Sequence, residues 1–158
     1  MRLEVRVDSA FRKHIDTKEL RRLADLALLC AGVEEEVELG LYITDDATVK
    51  ELNKAYRGLD KSTDVLSFAL SERGTGREIA PFVSPPDGVL RLGEVIVSYP
   101  RAAKQAEEHD RPVQEEMTWL VVHGVLHLLG HNHDEPSGAR KMRALERKVL
   151  AMSRKGDR

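Results

Sequence analysis

Residues 113–133 read VQEEMTWLVVHGVLHLLGHNH, and the organisation of the chain is worked out from this stretch. Val113 to Leu129 predicts a long helix, and Gly130 supplies the residue able to take the positive φ that a helix end needs. The apolar run Leu120 to Gly130 is interrupted by two histidines. It is well short of the ~18 to 20 residues needed to cross a bilayer, so no membrane partner is expected. Downstream, Ser137 to about Ser153 places Met142, Leu145, Val149 and Leu150 on one face of a last helix. Upstream, a short helix near Arg101 to Glu108 follows Pro100. Arg2 to Val7 and Val37 to Ile43 alternate as strands do, and Asp64 to Leu70 and Val89 to Val97 are further strand candidates. Between the first two strands, Thr17 to Ala31 carries Leu20, Leu23, Ala24 and Ala27 at helical spacing, with Thr17 as the cap. After the second, Thr44-Asp45-Asp46 starts a helix that runs to Arg57, with Val49, Leu52 and Tyr56 on one face. The stretch with Gly74, Gly76, Pro85, Pro86 and Gly88 reads as a loop. The expected fold is α+β (mixed α/β): one four-stranded mixed sheet packed with about five helices in three layers at most, and a metal site at the end of a central helix.

The chemistry is concentrated at that helix end. His123 and His127 are separated by one turn and about 40° around a helix, so both imidazoles can converge on one ion. The turn permitted at Gly130 makes His133 reachable as a third ligand, with His131 as its rival. Three protein nitrogens leave a position open for water, as catalytic zinc sites do. Core packing accounts readily for one histidine on an apolar face and poorly for this spacing. A structural site would usually take a fourth Cys or His, and Cys30 is remote. His14 and His109 lie in charged segments and are given no role. The spacing matches the metzincin peptidase pattern except that Gly124 stands where those enzymes carry their glutamate, so peptide hydrolysis by that route lacks its general base.

The chain has 158 residues with 41% apolar, 4% aromatic and a formal net charge of −2. That suits a single domain over 1–158 and excludes a protein that coats nucleic acid by bulk positive field. The charge is segregated: Gly138 to Arg158 holds eight basic residues against Glu146 and Asp157, while Glu34, Glu35, Glu36 and Glu38 form an acidic run. Residues 154–158 read as a frayed tail. The last helix could offer a local basic surface to phosphates, or its charges could simply be solvated. Cys30 alone makes no internal disulfide and no disulfide-linked partner is expected; with a start that lacks an apolar leader, the cytoplasm fits best.

The chain resembles the YbeY family of bacterial endoribonucleases, or ribosomal RNA maturation factors. The resemblance is carried by Asn53-Lys-Ala-Tyr56-Arg57, Thr63-Asp64-Val65-Leu66-Ser67-Phe68, Leu92-Gly93-Glu94-Val95-Ile96 and the histidine segment with its following helix. It implies that His123, His127 and His133 hold one divalent metal, zinc foremost with nickel or copper also suited, and that Arg57 is functional. It also implies a single-strand-specific, metal-dependent endoribonuclease acting on the 3′ end of small-subunit (16S) ribosomal RNA and in ribosome quality control, with ribosomal RNA and the small subunit as partners. A guanidinium at Arg57 would grip a phosphodiester and stabilise transition-state charge. A surface ion pair is its ordinary alternative. The nucleophile is open between water and the RNA 2′-OH. Three positions depart from the family pattern: Asn132 for a common aspartate, Ala69 for a proline and Glu94 for an aspartate. With Asn132 uncharged, carboxylates that could support the site are Asp134, Asp64 and Glu116, the last seven residues before His123 on the same helix face. The rivals to a nuclease are a metal-dependent peptidase-like hydrolase and a non-catalytic ribosome-assembly factor whose metal pins the last two helices.

Overall fold

A computed structural model describes residues 1–69, 89–130 and 136–156. Among them the elements run β1 (Arg2–Val7), a 3-10 turn (Ser9–His14), α1 (Thr17–Cys30), β2 (Glu36–Thr44), α2 (Asp46–Arg57), β3 (Val65–Ala69), β4 (Val89–Ser98), α3 (Tyr99–Glu108), α4 (Val113–Leu128) and α5 (Pro136–Gly156). The strands form one mixed sheet in the order β1-β2-β4-β3. β1, β2 and β4 are parallel, and β3 runs antiparallel along β4 at the edge, with Ser67 opposite Val95. The expected α+β architecture, with a four-stranded mixed sheet and a central helix, is the observed one.

Period-two alternation decides what each face of the sheet meets. Val37, Leu39, Leu41 and Ile43 of β2, with Val95 and Val97 of β4, join the main core under α1, α3, α4 and α5. Leu66, Phe68 and Ile96 point the other way and pack with Val49 of α2 in a smaller cluster. The layers are therefore α2, the sheet, and the remaining helices. α4 touches α1, α3, α5, β3 and β4. This explains its nearly all-round apolar sequence, with Leu120, Val121, Val122, Val125 and Leu126 all buried. No described helix is long and apolar enough to cross a membrane.

Local boundaries differ from expectation at three points. Asp16, not Thr17, caps α1: its Oδ1 accepts from the Lys18 and Glu19 backbone N–H groups at 3.0 and 3.2 Å. Its short carboxylate, lying before the first helical residue, reaches those donors while Thr17 takes helical angles. α3 begins at Tyr99, two residues early, because Pro100 is tolerated in a first turn and Ser98 accepts from Arg101 N–H. α5 continues to Gly156 through the start of the expected tail. Its last described turn is anchored, since Arg22 donates to the Ser153 carbonyl at 3.1 Å and Met152 lies 3.4 Å from Cys30 Sγ.

Candidate active site

The site is built at the C-terminal end of α4. Trp119, His123 and His127 recur every four residues and stack along one stripe of the helix. Trp119 and His123 rings lie 4.9 Å apart and 26° from parallel, and His123 and His127 rings 4.9 Å apart and tilted by 58°. His123 is half-buried and His127 exposed, so the pair opens from the core to solvent. α4 stops where expected: the Leu129 and Gly130 N–H groups bond back to the last turn, and Gly130 takes φ +93°.

The carboxylate beside this pair is Glu146 of α5, which is 5% exposed. Its Oε1 lies 3.6 Å from His123 Nδ1. At that separation it is a neighbour rather than a hydrogen-bond partner, and a carboxylate on that side of the ring favours the tautomer protonated at Nδ1, with Nε2 left as the lone-pair nitrogen. Sequence reading placed Glu146 only as a negative charge within the basic terminal segment. Its signal was position, because it shares the buried stripe of Met142 and Val149. Glu116, expected beside His123, is 2% exposed at the other end of α4. Its Oε1 lies 3.4 Å from His109 Nδ1 and 3.6 Å from Arg111 Nε, so His109 has a structural partner and Glu116 is directed away from the histidine pair. Asp64 likewise stands apart, accepting from Thr63 Oγ1 at 3.2 Å, while its backbone carbonyl accepts from Ser98 N–H.

Arg57 ends α2 on the opposite face of the sheet. Its Nη2 donates to the Ser67 carbonyl at 2.6 Å and its guanidinium carbon is 5.4 Å from the Phe68 ring centre. Ser67 in turn donates from Oγ to the Gly124 carbonyl at 3.2 Å. Two hydrogen bonds thus link Arg57 through the edge strand to the residue beside His123. A Cβ at Gly124 would stand 2.6 Å from Val95 Cγ1 and 3.3 Å from Ser67 Oγ. Any side chain there is directed into the sheet, so the position cannot present a peptidase's glutamate to the histidines.

His131, Asn132, His133 and Asp134 lie outside the described residues, as does the loop over 72–88. Among the described residues no group of three or more His, Cys, Asp or Glu side chains could hold an ion. The chemistry of the described pair is compatible with a metal: imidazoles one helical turn apart, one beside a buried carboxylate, are donors of the kind that zinc-type sites use. A second network fixes the base of α2. Asp46 accepts from Arg101 Nε at 3.0 Å, from Ser62 Oγ at 2.5 Å and from Ser98 Oγ at 3.2 Å. Foremost the Arg101 hydrogen bond, with help from Ser62 and Ser98, holds its carboxyl down to about 2.

Residues 6–154 match the sequence profile of the family described as Endoribonuclease YbeY. The Endoribonuclease YbeY of Moorella thermoacetica is 45% identical over 132 residues, covering 84% of this chain and 83% of that protein. That of Aquifex aeolicus is 39% identical over 141 residues, covering 89% and 85%. The solution structure of TM1509 from Thermotoga maritima aligns with a TM-score of 0.57 over 98% of this chain and 93% of that one, at 22% identity, which supports the fold. By profile and by identity over most of its length, the chain belongs to the YbeY endoribonuclease family.

Proposed function

We propose that the protein is a single-strand-specific, metal-dependent endoribonuclease that matures the 3′ end of 16S ribosomal RNA and serves ribosome quality control in the cytoplasm. Family membership supports hydrolysis of RNA phosphodiester bonds. The observation that carries the finer reading is the link from the His123–His127 pair through Gly124 and Ser67 to Arg57. A divalent ion held by His123, His127 and His133, zinc foremost with nickel or copper also suited, would supply Lewis acidity and lower the pKa of water toward ~7. Glu146, 3.6 Å from His123 Nδ1, would favour Nε2 as the metal-binding nitrogen, and Trp119 stacks on one face of that ring. Arg57 keeps one donor on Ser67 and turns the rest of its fork to a non-bridging phosphate oxygen, stabilising charge as it builds.

The test is cleavage of a ribosomal RNA fragment by wild-type, His127→Ala and Arg57→Glu proteins, with metal content determined on each. His127→Ala should lose metal and cleavage, and Arg57→Glu should keep metal and lose cleavage. Sequencing the product ends separates water from the 2′-OH as nucleophile. Equal cleavage in all three preparations would refute the nuclease reading, and metal-loaded wild type that binds RNA without cutting it would identify an assembly factor.

A further inference from the structure

On the face of the sheet opposite α4, a groove of about 610 Å³ lies between α2 and the strands. α2 covers only part of this face, and the groove gathers three of the chain's few aromatic residues, Tyr42, Tyr56 and Phe68. Tyr56 is 67% exposed, yet its ring stands 5.2 Å from Phe68 at 51°, so it is a supported ring open on one side. Tyr42 is held by its hydroxyl, which donates to Asp8 Oδ1 at 2.9 Å. Each of the other two rings carries a guanidinium: Arg6 lies 4.5 Å from the Tyr42 ring centre and Arg57 5.4 Å from that of Phe68. Glu94 crosses the floor, its Cγ 3.1 Å from where a Cβ on Gly40 would stand. Among the described residues its carboxylate makes no hydrogen bond or ion pair.

An aromatic ring open to stacking, two cations spaced across a groove and a carboxylate that can only accept are complementary to one nucleotide of a single strand. We propose that this groove is a base-binding subsite for single-stranded RNA. A base stacks on Tyr56 and donates its exocyclic amine to Glu94, while the flanking phosphates are taken by Arg57 and Arg6. The subsite rests on the nuclease reading and extends it, because Arg57 is common to the groove and to the reacting phosphate. Glu94 then sets a preference. Cytosine offers an amino group at C4, whereas uracil offers a carbonyl oxygen there, which a carboxylate repels.

The experiment measures fluorescence anisotropy of labelled C12 and U12 RNA with the full chain carrying His127→Ala, so that binding is read without cleavage. C12 should bind about tenfold tighter than U12, the discrimination expected of one base contact. Glu94→Gln should shrink that preference to about threefold or less, since an amide can donate to the uracil carbonyl. Tyr56→Ala should weaken both oligonucleotides by about tenfold, and Tyr56→Phe should restore binding. Equal affinity of the parent for C12 and U12, or unchanged binding in Tyr56→Ala, would overturn the subsite and leave the groove to a protein partner. Binding alone decides for or against the subsite. Wild-type protein that cleaves no RNA would remove the nuclease reading separately.

Discussion

Gly124→Ala tests the packing that sets His123 against the sheet. The new Cβ would meet Val95 Cγ1 at 2.6 Å and Cγ2 at 3.1 Å, where carbon atoms rest near ~3.5 to 4.0 Å. Val95 is 0% exposed and β-branched, so it has little freedom to rotate away. Relief therefore requires α4 and β4 to part by about 1 Å. Overpacking of this kind costs about 1 to 3 kcal/mol, and replacing a mid-helix glycine by alanine returns about 1 kcal/mol. The net loss should be about 0 to 2 kcal/mol, which lowers Tm by up to about 8 °C in a chain of this size. Calorimetry on Gly124→Ala, Val95→Ala and the double variant checks the cause. If the contact is responsible, the double variant is more stable than the sum of the singles by about 1 kcal/mol. The same movement displaces His123 relative to Ser67 and Arg57, and a ~1 Å error at a reacting centre can lower kcat about a hundredfold. No coupling between Gly124→Ala and Val95→Ala, together with full activity of Gly124→Ala, would refute the argument.

Glu146→Gln should weaken metal binding about ten- to a hundredfold in chelator competition, with partial recovery in Glu146→Asp; unchanged affinity would show that the carboxylate does not orient His123. Arg57→Lys should keep the metal yet lower kcat about tenfold or more, because a lysine has no planar fork for phosphate. Gly130→Ala, at φ +93°, should destabilise by about 1 to 2 kcal/mol in thermal melts. Asp46, held at about 2 in the folded protein, contributes stability that is full above the ordinary carboxylate value near 4 and is lost as pH falls toward 2. Asp46→Asn should therefore flatten the acid-unfolding curve between those pH values, by a modest amount because the side chain is 43% exposed.

The histidine pair and the helix stop at Gly130 were legible because both depend on spacing along one helix. So was the alternation that buries Leu39, Leu41 and Ile43. Glu116 shows where spacing fails: seven residues return to the same face but lie about 10 Å along the axis, and Arg111 draws the carboxylate to that end. Glu146 was missed for the converse reason. Its partner is on another helix, and no periodicity along α5 signals a histidine on α4. The edge position of β3 was likewise unreadable, since the order β1-β2-β4-β3 follows from packing between elements distant in sequence.

The sheet edge would also limit the shape of an RNA that reached both the histidines and the proposed subsite. Ser67 directs its hydroxyl to α4 and its carbonyl to Arg57, so β3 is a partition only one strand wide between the histidines and the arginine groove. A polymer that engaged both sides would have to pass around that rim. A double helix, with a persistence length of about 50 nm in DNA, resists such a bend over a few nucleotides. A single strand has no such stiffness, so selection for it can arise from the curvature of the path alone.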